Sequence, residues 1–363
     1  MKKMKKGIAI VFWLLAMMTS HAQDPSFSQF FSSPLTINPA LTANINEKWR
    51  LMSNYRNQWS GPANPYSTGT VSFESKIFQD VVGDYVDENT RVGIGGMMMY
   101  DESMGGALKS NYVSLNITGN IRLMKKEGYE QNGARIRHIG KASNDEGAEQ
   151  RLGAALGISY GHRRLDISKL NFGEQFNGSA FDTNLPSGET ALSEMKPWLS
   201  ASAGLLYSFK KNYTQVDLGV AAFHVNKPVQ TFLKDDNQTL ARRYVVHGNL
   251  ESFLSDKLIL NANGVYQNQA GASYFSVGGA LGYYMPGYEE GKDMIFNAGL
   301  WYWSDNAVIP YFGISYGKFQ IGMTYDITIS TLNEAVKRAN TFELCLILRG
   351  NGRTSGVIPA PWK

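Results

Sequence analysis

The sequence predicts an all-β protein, a transmembrane antiparallel outer-membrane β-barrel of about fourteen strands preceded by a cleaved signal peptide. Three observations predict it. Between Lys318 and Thr328, Phe319, Ile321, Met323, Tyr325 and Ile327 fall on one strand face, and Lys318, Gln320, Gly322, Thr324, Asp326 and Thr328 on the other. Side chains alternate along a strand, so this one needs an apolar medium on one side and a wet one on the other. The N-terminus reads as an export signal. After it, no run reaches the ~18 consecutive apolar residues of a membrane-spanning helix.

The export signal is built from Lys2, Lys3, Lys5 and Lys6, the 12-residue apolar run Gly7 to Met18, and Ser20-His21-Ala22 as a small-x-small cleavage site before Gln23. The run falls short of the ~20 residues that a spanning helix needs; an N-terminal anchor helix is the alternative. No Cys stands near the site, so it is not a lipoprotein signal. Cleavage removes four of the 35 basic side chains and leaves 31 against 31 acidic ones. A neutral mature chain has no electrostatic footprint for nucleic acid. The single Cys345 excludes a disulfide framework or a Cys-based metal site.

The domains follow as 1–22 signal peptide, 23–46 plug or periplasmic segment, 47–349 barrel and 350–363 tail. Segment 24–46 is Pro- and Ser-rich without clean alternation, and it either fills the lumen or lies along the periplasmic rim. Strand-like runs then start near Trp49, Tyr66 and Arg91. Tyr112 to Leu123 carries Val113, Leu115, Ile117, Ile121 and Leu123 on one face. Arg151 to Tyr160 alternates Leu152, Ala154, Leu156, Ile158 and Tyr160 with small residues. Further runs start near Pro197, Tyr213, Arg243, Leu258, Tyr274, Met294 and Val308. Thr341 to Arg349 sets Phe342, Leu344, Leu346 and Leu348 against Glu343, Cys345, Ile347 and Arg349. Each run is about ten residues, the length a tilted strand needs to cross a bilayer.

Lys211-Asn212 and Gly317-Lys318 read as tight hairpins, 164–196 and 125–150 as long insertions, and Thr331 to Lys337 as a turn or short helix. Outer-membrane barrels keep short periplasmic turns. With the first strand starting in the periplasm, both hairpins fall there, and so does 125–150, the awkward case. A soluble β-sandwich is the competing fold. It would bury aromatics mid-strand, whereas here they gather near strand ends: Tyr100, Tyr160, Tyr283-Tyr284, Trp301-Tyr302-Trp303, Tyr311 and Tyr316. Amphipathic rings at the headgroup level would place them so.

Catalytic chemistry is not assembled. Gly157-Ile158-Ser159-Tyr160-Gly161 and Gly313-Ile314-Ser315-Tyr316-Gly317 match a nucleophile elbow, but the elbow needs a strand, a sharp turn and a helix, and both lie in alternating strands. Gly93, Gly95 and Gly96 lack the third glycine of a phosphate loop, with Met98 in its place. His138, His162, His224 and His247 have no metal-ligand spacing. Met97-Met98-Met99 reads as strand filler. The reading is therefore a non-enzyme with no catalytic residue, metal or cofactor. Asp326, Glu343 and Arg349 are lumen-side charges that either line a channel or pair with each other, since unpaired buried charge is costly.

Three segments resemble the PorP/SprF family of type IX secretion outer-membrane proteins. The first runs from Asp24-Pro25-Ser26-Phe27-Ser28-Gln29-Phe30 through Pro34-Leu35 to Asn38-Pro39-Ala40. The second is Tyr55-Arg56-Asn57-Gln58-Trp59. The third is Ile321-Gly322-Met323-Thr324-Tyr325-Asp326-Ile327-Thr328, where the family carries Gly-Tyr-Ser-Tyr-Asp. The resemblance covers the whole mature chain. It implies an outer-membrane barrel of a Gram-negative bacterium that supports export or surface retention of cargo bearing a C-terminal signal domain, such as a gliding-motility adhesin. It also implies contacts with lipid and, for some members, with the periplasmic ring and motor. Gln29, Pro34, Asn38 and Pro39 are its N-terminal residues. Arg56, Asn57, Gln58, Trp59, Tyr325 and Asp326 are the partner-binding or plug candidates, with Arg56 and Asp326 expected to hold 24–46 in the lumen. Trp59 is either part of a rigid docking surface reaching Pro65 or an interfacial girdle residue. A passive transporter for small solutes is the competing function. A lipid-modifying enzyme is a weaker one, for want of a Ser-His arrangement.

Overall fold

The computed structural model describes residues 24–59, 64–77, 90–125, 148–189, 194–233, 235–287, 292–330 and 340–350. Fourteen strands form the wall: β1 (Trp49–Gln58), β2 (Tyr66–Ile77), β3 (Thr90–Ser103), β4 (Leu108–Lys125), β5 (Glu149–Leu165), β6 (Trp198–Lys211), β7 (Thr214–Phe223), β8 (Arg243–Phe253), β9 (Leu258–Gln269), β10 (Ala272–Met285), β11 (Met294–Trp303), β12 (Ala307–Tyr316), β13 (Phe319–Thr328) and β14 (Thr341–Gly350). Each pairs antiparallel with its sequence neighbours, and β14 closes onto β1 with Trp49 opposite Gly350 and Gln58 opposite Thr341. Closure leaves no unpaired edge, the condition for a sheet to sit in lipid.

The alternation decides which side chain faces which medium. On β13, Phe319, Ile321, Met323, Tyr325 and Ile327 stand exposed on the outer wall, while Gln320, Thr324, Asp326 and Thr328 are buried in the lumen. Leu115, Leu156, Leu205 and Leu300 continue the apolar outer face on other strands. Among the described residues no helix is long and apolar enough to cross a membrane; the strands do the crossing.

The expected strand starts lie within a few residues of the observed ones. β4 and β5 run longer than their alternating windows, because their pairing continues past Tyr112 and Tyr160 to Leu108 and Leu165. Lys211 pairs with Thr214, so the hairpin turn is Asn212-Tyr213 rather than Lys211-Asn212, with Asn212 at φ 51°. Ala270-Gly271, with φ of 54° and 84°, makes a tight hairpin that no sequence signal was assigned to. The signal peptide, 126–147, His138, 331–337, 60–63 and the tail beyond Gly350 lie outside the described residues.

One expectation is corrected. Trp301, Trp303, Tyr284 and Tyr311 point into the lumen and are buried, whereas Tyr100, Tyr160, Tyr283, Tyr302 and Tyr316 face outward. Tyr284 packs with Ile259 and Ile295 of the wall, and the other three inward rings have an apolar partner inside. Phe30, Phe31 and Ile37 of the N-terminal segment join Val245, Val265, Ala280, Ala307, Ile309, Trp301, Trp303 and Tyr311 in one core.

That segment threads the barrel. Asp24 lies at the Gln58 end, beside His224, Arg243 and Gln269. Three short 3-10 turns follow, Phe30–Ser32, Pro34–Thr36 and Pro39–Leu41. Pro34 and Pro39 each open one, where a missing N–H costs nothing. The chain then leaves at the Trp49 end, where Lys76 Nζ donates to Asn46 O at 3.1 Å.

Candidate functional site: the filled lumen

The lumen wall grips the segment at four levels. At the Gln58 mouth, Asp24 Oδ2 lies 2.7 Å from His224 Nε2 and 3.3 Å from Arg243 Nε, and Asp24 N donates to Gln269 Oε1 at 2.9 Å. Burial alone would push the Asp24 carboxyl up. The Arg243 guanidinium and the His224 imidazole overcome it and hold the group well below the usual carboxylate range.

One turn of chain deeper, Arg56 donates to Ser26 O and lies 3.2 Å from Glu343 Oε1. Glu343 accepts the main-chain N–H groups of Ser28 at 2.7 Å and Gln29 at 2.8 Å. Ser28 Oγ donates to Asp326, and Gln29 Nε2 reaches Thr324 Oγ1 at 3.3 Å. Two carboxylates thus share one nearby guanidinium in a site where Glu343 is 1% and Arg56 4% exposed. The N–H groups aimed at Glu343 complete its solvation, which a buried charge requires. Below this hook Phe31 packs on Trp301 at 4.8 Å and edge-on to Tyr311 at 5.4 Å, and the Arg56 guanidinium lies 5.3 Å from the Trp303 ring. Rings in such arrangements add to plain burial.

At mid-depth Asn38 acts as a staple. Its Oδ1 caps Ala40 N at 2.8 Å, and its Nδ2 donates to Leu205 O at 3.0 Å and Val220 O at 3.2 Å. The wall makes room with glycine: a Cβ on Gly204 would fall 1.9 Å from Asn38 Oδ1, and one on Gly219 2.8 Å from its Nδ2. At the Trp49 end Ala43 N donates to Glu74 Oε2 at 2.7 Å, and Arg50 holds the other oxygen at 2.5 Å.

Of the residues named from sequence, Gln29, Arg56 and Asp326 meet at one point, and Pro34, Asn38 and Pro39 shape the segment. Asn57 and Tyr325 do not join them. Asn57 bonds Tyr55 OH at 3.3 Å, and Tyr325 faces outward with its OH accepting from Asn340 Nδ2 at 2.6 Å. Gln58 and Trp59 sit at the rim, Trp59 at φ 59° and edge-on to Tyr66 at 5.2 Å. Sequence reasoning gave Glu343 and Glu74 no contact with the segment, and it left His224, His247 and Arg243 without one too. Their inward parity was readable, but their partners lie far away in sequence. Gly157 to Gly161 lies within β5, and Gly313 to Tyr316 ends β12 with Gly317 in the hairpin turn to β13, so neither is followed by a helix.

A closed wall, apolar outside, polar inside and filled by the chain's own N-terminal segment, defines an integral β-barrel of the outer membrane. A family model described as type IX secretion system membrane protein PorP/SprF matches residues 19–348, and the chain belongs to that family. No curated protein matches the sequence. Similar solved structures include CymD, a monoaromatic hydrocarbon channel (TM-score 0.44, 11% identity, 88% of this chain and 93% of that one). A Pseudomonas aeruginosa FadL homologue (TM-score 0.45, 10% identity, 86% and 92%) and the Ralstonia pickettii toluene transporter TbuX (TM-score 0.39, 13% identity, 88% and 93%) are others. At these identities the likeness is one of barrel form.

Proposed function

We propose that this type IX secretion barrel works by binding and carries no catalysis. Its Gln58 end faces the exterior and docks the C-terminal domain of a large secreted surface protein, such as a gliding-motility adhesin. Its Trp49 end faces the periplasm and contacts the ring and motor subunits. The observation that carries this reading is the filled lumen. With 24–46 held at four levels, the surfaces left for work are the two mouths, and the connections 166–197 and 224–242 join strands at the Gln58 one.

The test is purification of the tagged protein from outer membranes in mild detergent, with and without residues 170–190. The reading expects a surface protein with a C-terminal signal domain to co-purify, and to be lost, together with its surface display, in the shortened variant. Absence of any such partner, with solute flux in liposomes, would favour the second reading, a passive transporter. A cavity of about 60 Å³ left between the segment and the wall, beside Phe30, Phe31, His247 and Asn263, is the observation on its side.

A further inference from the structure

Beside its bonds to the side chains of Asp24, Ser28 and Asn38, the wall holds the segment's main chain along its whole length. Glu343 takes the N–H groups of Ser28 and Gln29, and Glu74 that of Ala43. Arg56 donates to Ser26 O, Asn54 to Ser32 O at 3.0 Å, Arg243 to Thr36 O at 2.9 Å and Lys76 to Asn46 O at 3.1 Å. Several of the segment's own polar side chains are used less well. Gln29 Oε1 and Thr42 Oγ1 are buried with no hydrogen-bond partner. Asn38 is the contrast: its amide enters a notch that Gly204 and Gly219 keep open and reads two wall carbonyls. Contacts to main-chain groups do not depend on which side chain the residue carries, whereas the notch demands a short amide.

We infer that the lumen is a peptide-binding site, occupied in cis by 24–46, and that it takes in trans a peptide carrying an Asn-Pro step on a turn-rich backbone. The charged side chains that line it supply hydrogen bonds to any main chain laid along the same path, since bonds to ionised partners are the strong ones. The site is in the lumen, apart from the docking surface proposed at the rim.

A nicked full-length protein tests this. A protease site is inserted between Asn46 and Glu47 of the detergent-purified protein, the chain is cleaved, and a fluorescent synthetic peptide of residues 24–46 is added. Gel filtration and anisotropy then follow retention and exchange. The expected result is that the cleaved segment stays with the barrel and the labelled peptide replaces it saturably. A competitor with Thr42→Val, which removes a hydroxyl that has no partner, should then compete within about threefold of the parent, and peptides N-methylated at the Ser28 and Gln29 amides or carrying Asn38→Asp at least about tenfold more weakly. Where exchange is too slow to see, the same peptides are added while the cleaved mixture refolds in detergent. Failure of the labelled peptide to enter under both regimes would overturn the proposal. Equal competition by the N-methylated peptide, or loss of competition by the valine peptide, would overturn the main-chain reading on which it stands.

Discussion

Arg56 and Glu343 face each other across the seam where the last strand meets the first. They are register partners between β1 and β14, with Nε 3.2 Å from Oε1 inside the lumen. The same two side chains hold Ser26, Ser28 and Gln29 of the N-terminal segment. Wall closure and lumen filling therefore share one ion pair.

Removing Arg56 leaves Glu343 and Asp326 buried without their nearest cation. Arg56→Ala should destabilise the folded barrel by about 3–5 kcal/mol, the usual cost of stranding one member of a buried pair. Thermal unfolding in detergent, read by gel mobility with and without heating, measures it. A loss below ~1 kcal/mol would show that the pair sits in a far wetter environment than its burial indicates.

Deleting 24–44 should raise conductance in planar bilayers, because the ring plate of Phe31, Trp301 and Tyr311 loses its central member and the lumen its filling. Unchanged, closed behaviour of a folded deletion variant would show that the wall's own side chains seal the barrel.

Asn38 and Gly204 should be energetically coupled. Asn38→Ala removes the Nδ2 contacts to Leu205 O, Val220 O and His247 Nε2, and Gly204→Ala forces the Asn38 side chain out of its notch. Each is expected to cost ~1–3 kcal/mol, and a double-mutant cycle should recover ~0.5 kcal/mol or more as interaction energy. Strict additivity would mean that the two changes act at separate places.

The Asp24 latch predicts a pH dependence with a definite sign. Its carboxyl titrates below the ordinary 3.8. Stability from this group is thus fully present above 3.8 and is lost as pH falls through the lowered folded value. Asp24→Asn should destabilise at neutral pH and lose that penalty under strong acid. Unfolding measured from neutral to strongly acid pH for both chains checks it; parallel curves would dismiss the latch.

The wall was legible because a barrel strand writes its two media into its parity. About fourteen strand-like runs, with clean alternation in some such as Phe319 to Thr328 and Phe342 to Arg349, marked the strands before any pairing was known. Rings were harder. Trp301 and Trp303 read as a headgroup girdle, since an aromatic at a strand end suits lipid. They share parity with the buried Asn297, however, and that was the available signal for an inward position. What hid it was the apolar surface supplied inside by Phe30 and Phe31, more than two hundred residues earlier. Contacts such as Ser28 to Glu343, 315 positions apart, leave no periodic trace in sequence. Parity alone marked Asp326 as a lumen-side charge, whereas Arg56 was found because a family segment marked it.

The path of residues 24–46 makes the filling a tethered part of the wall. The segment enters at the Gln58 mouth and leaves at the Trp49 mouth before β1 begins, so it lies within the ring that later strands complete. Its route runs end to end, and its Asn38 anchor sits in a notch that opens only inward. The filling is therefore joined covalently to β1 at one mouth and held through Asp24 at the other, so freeing the lumen means releasing the Asp24 end first.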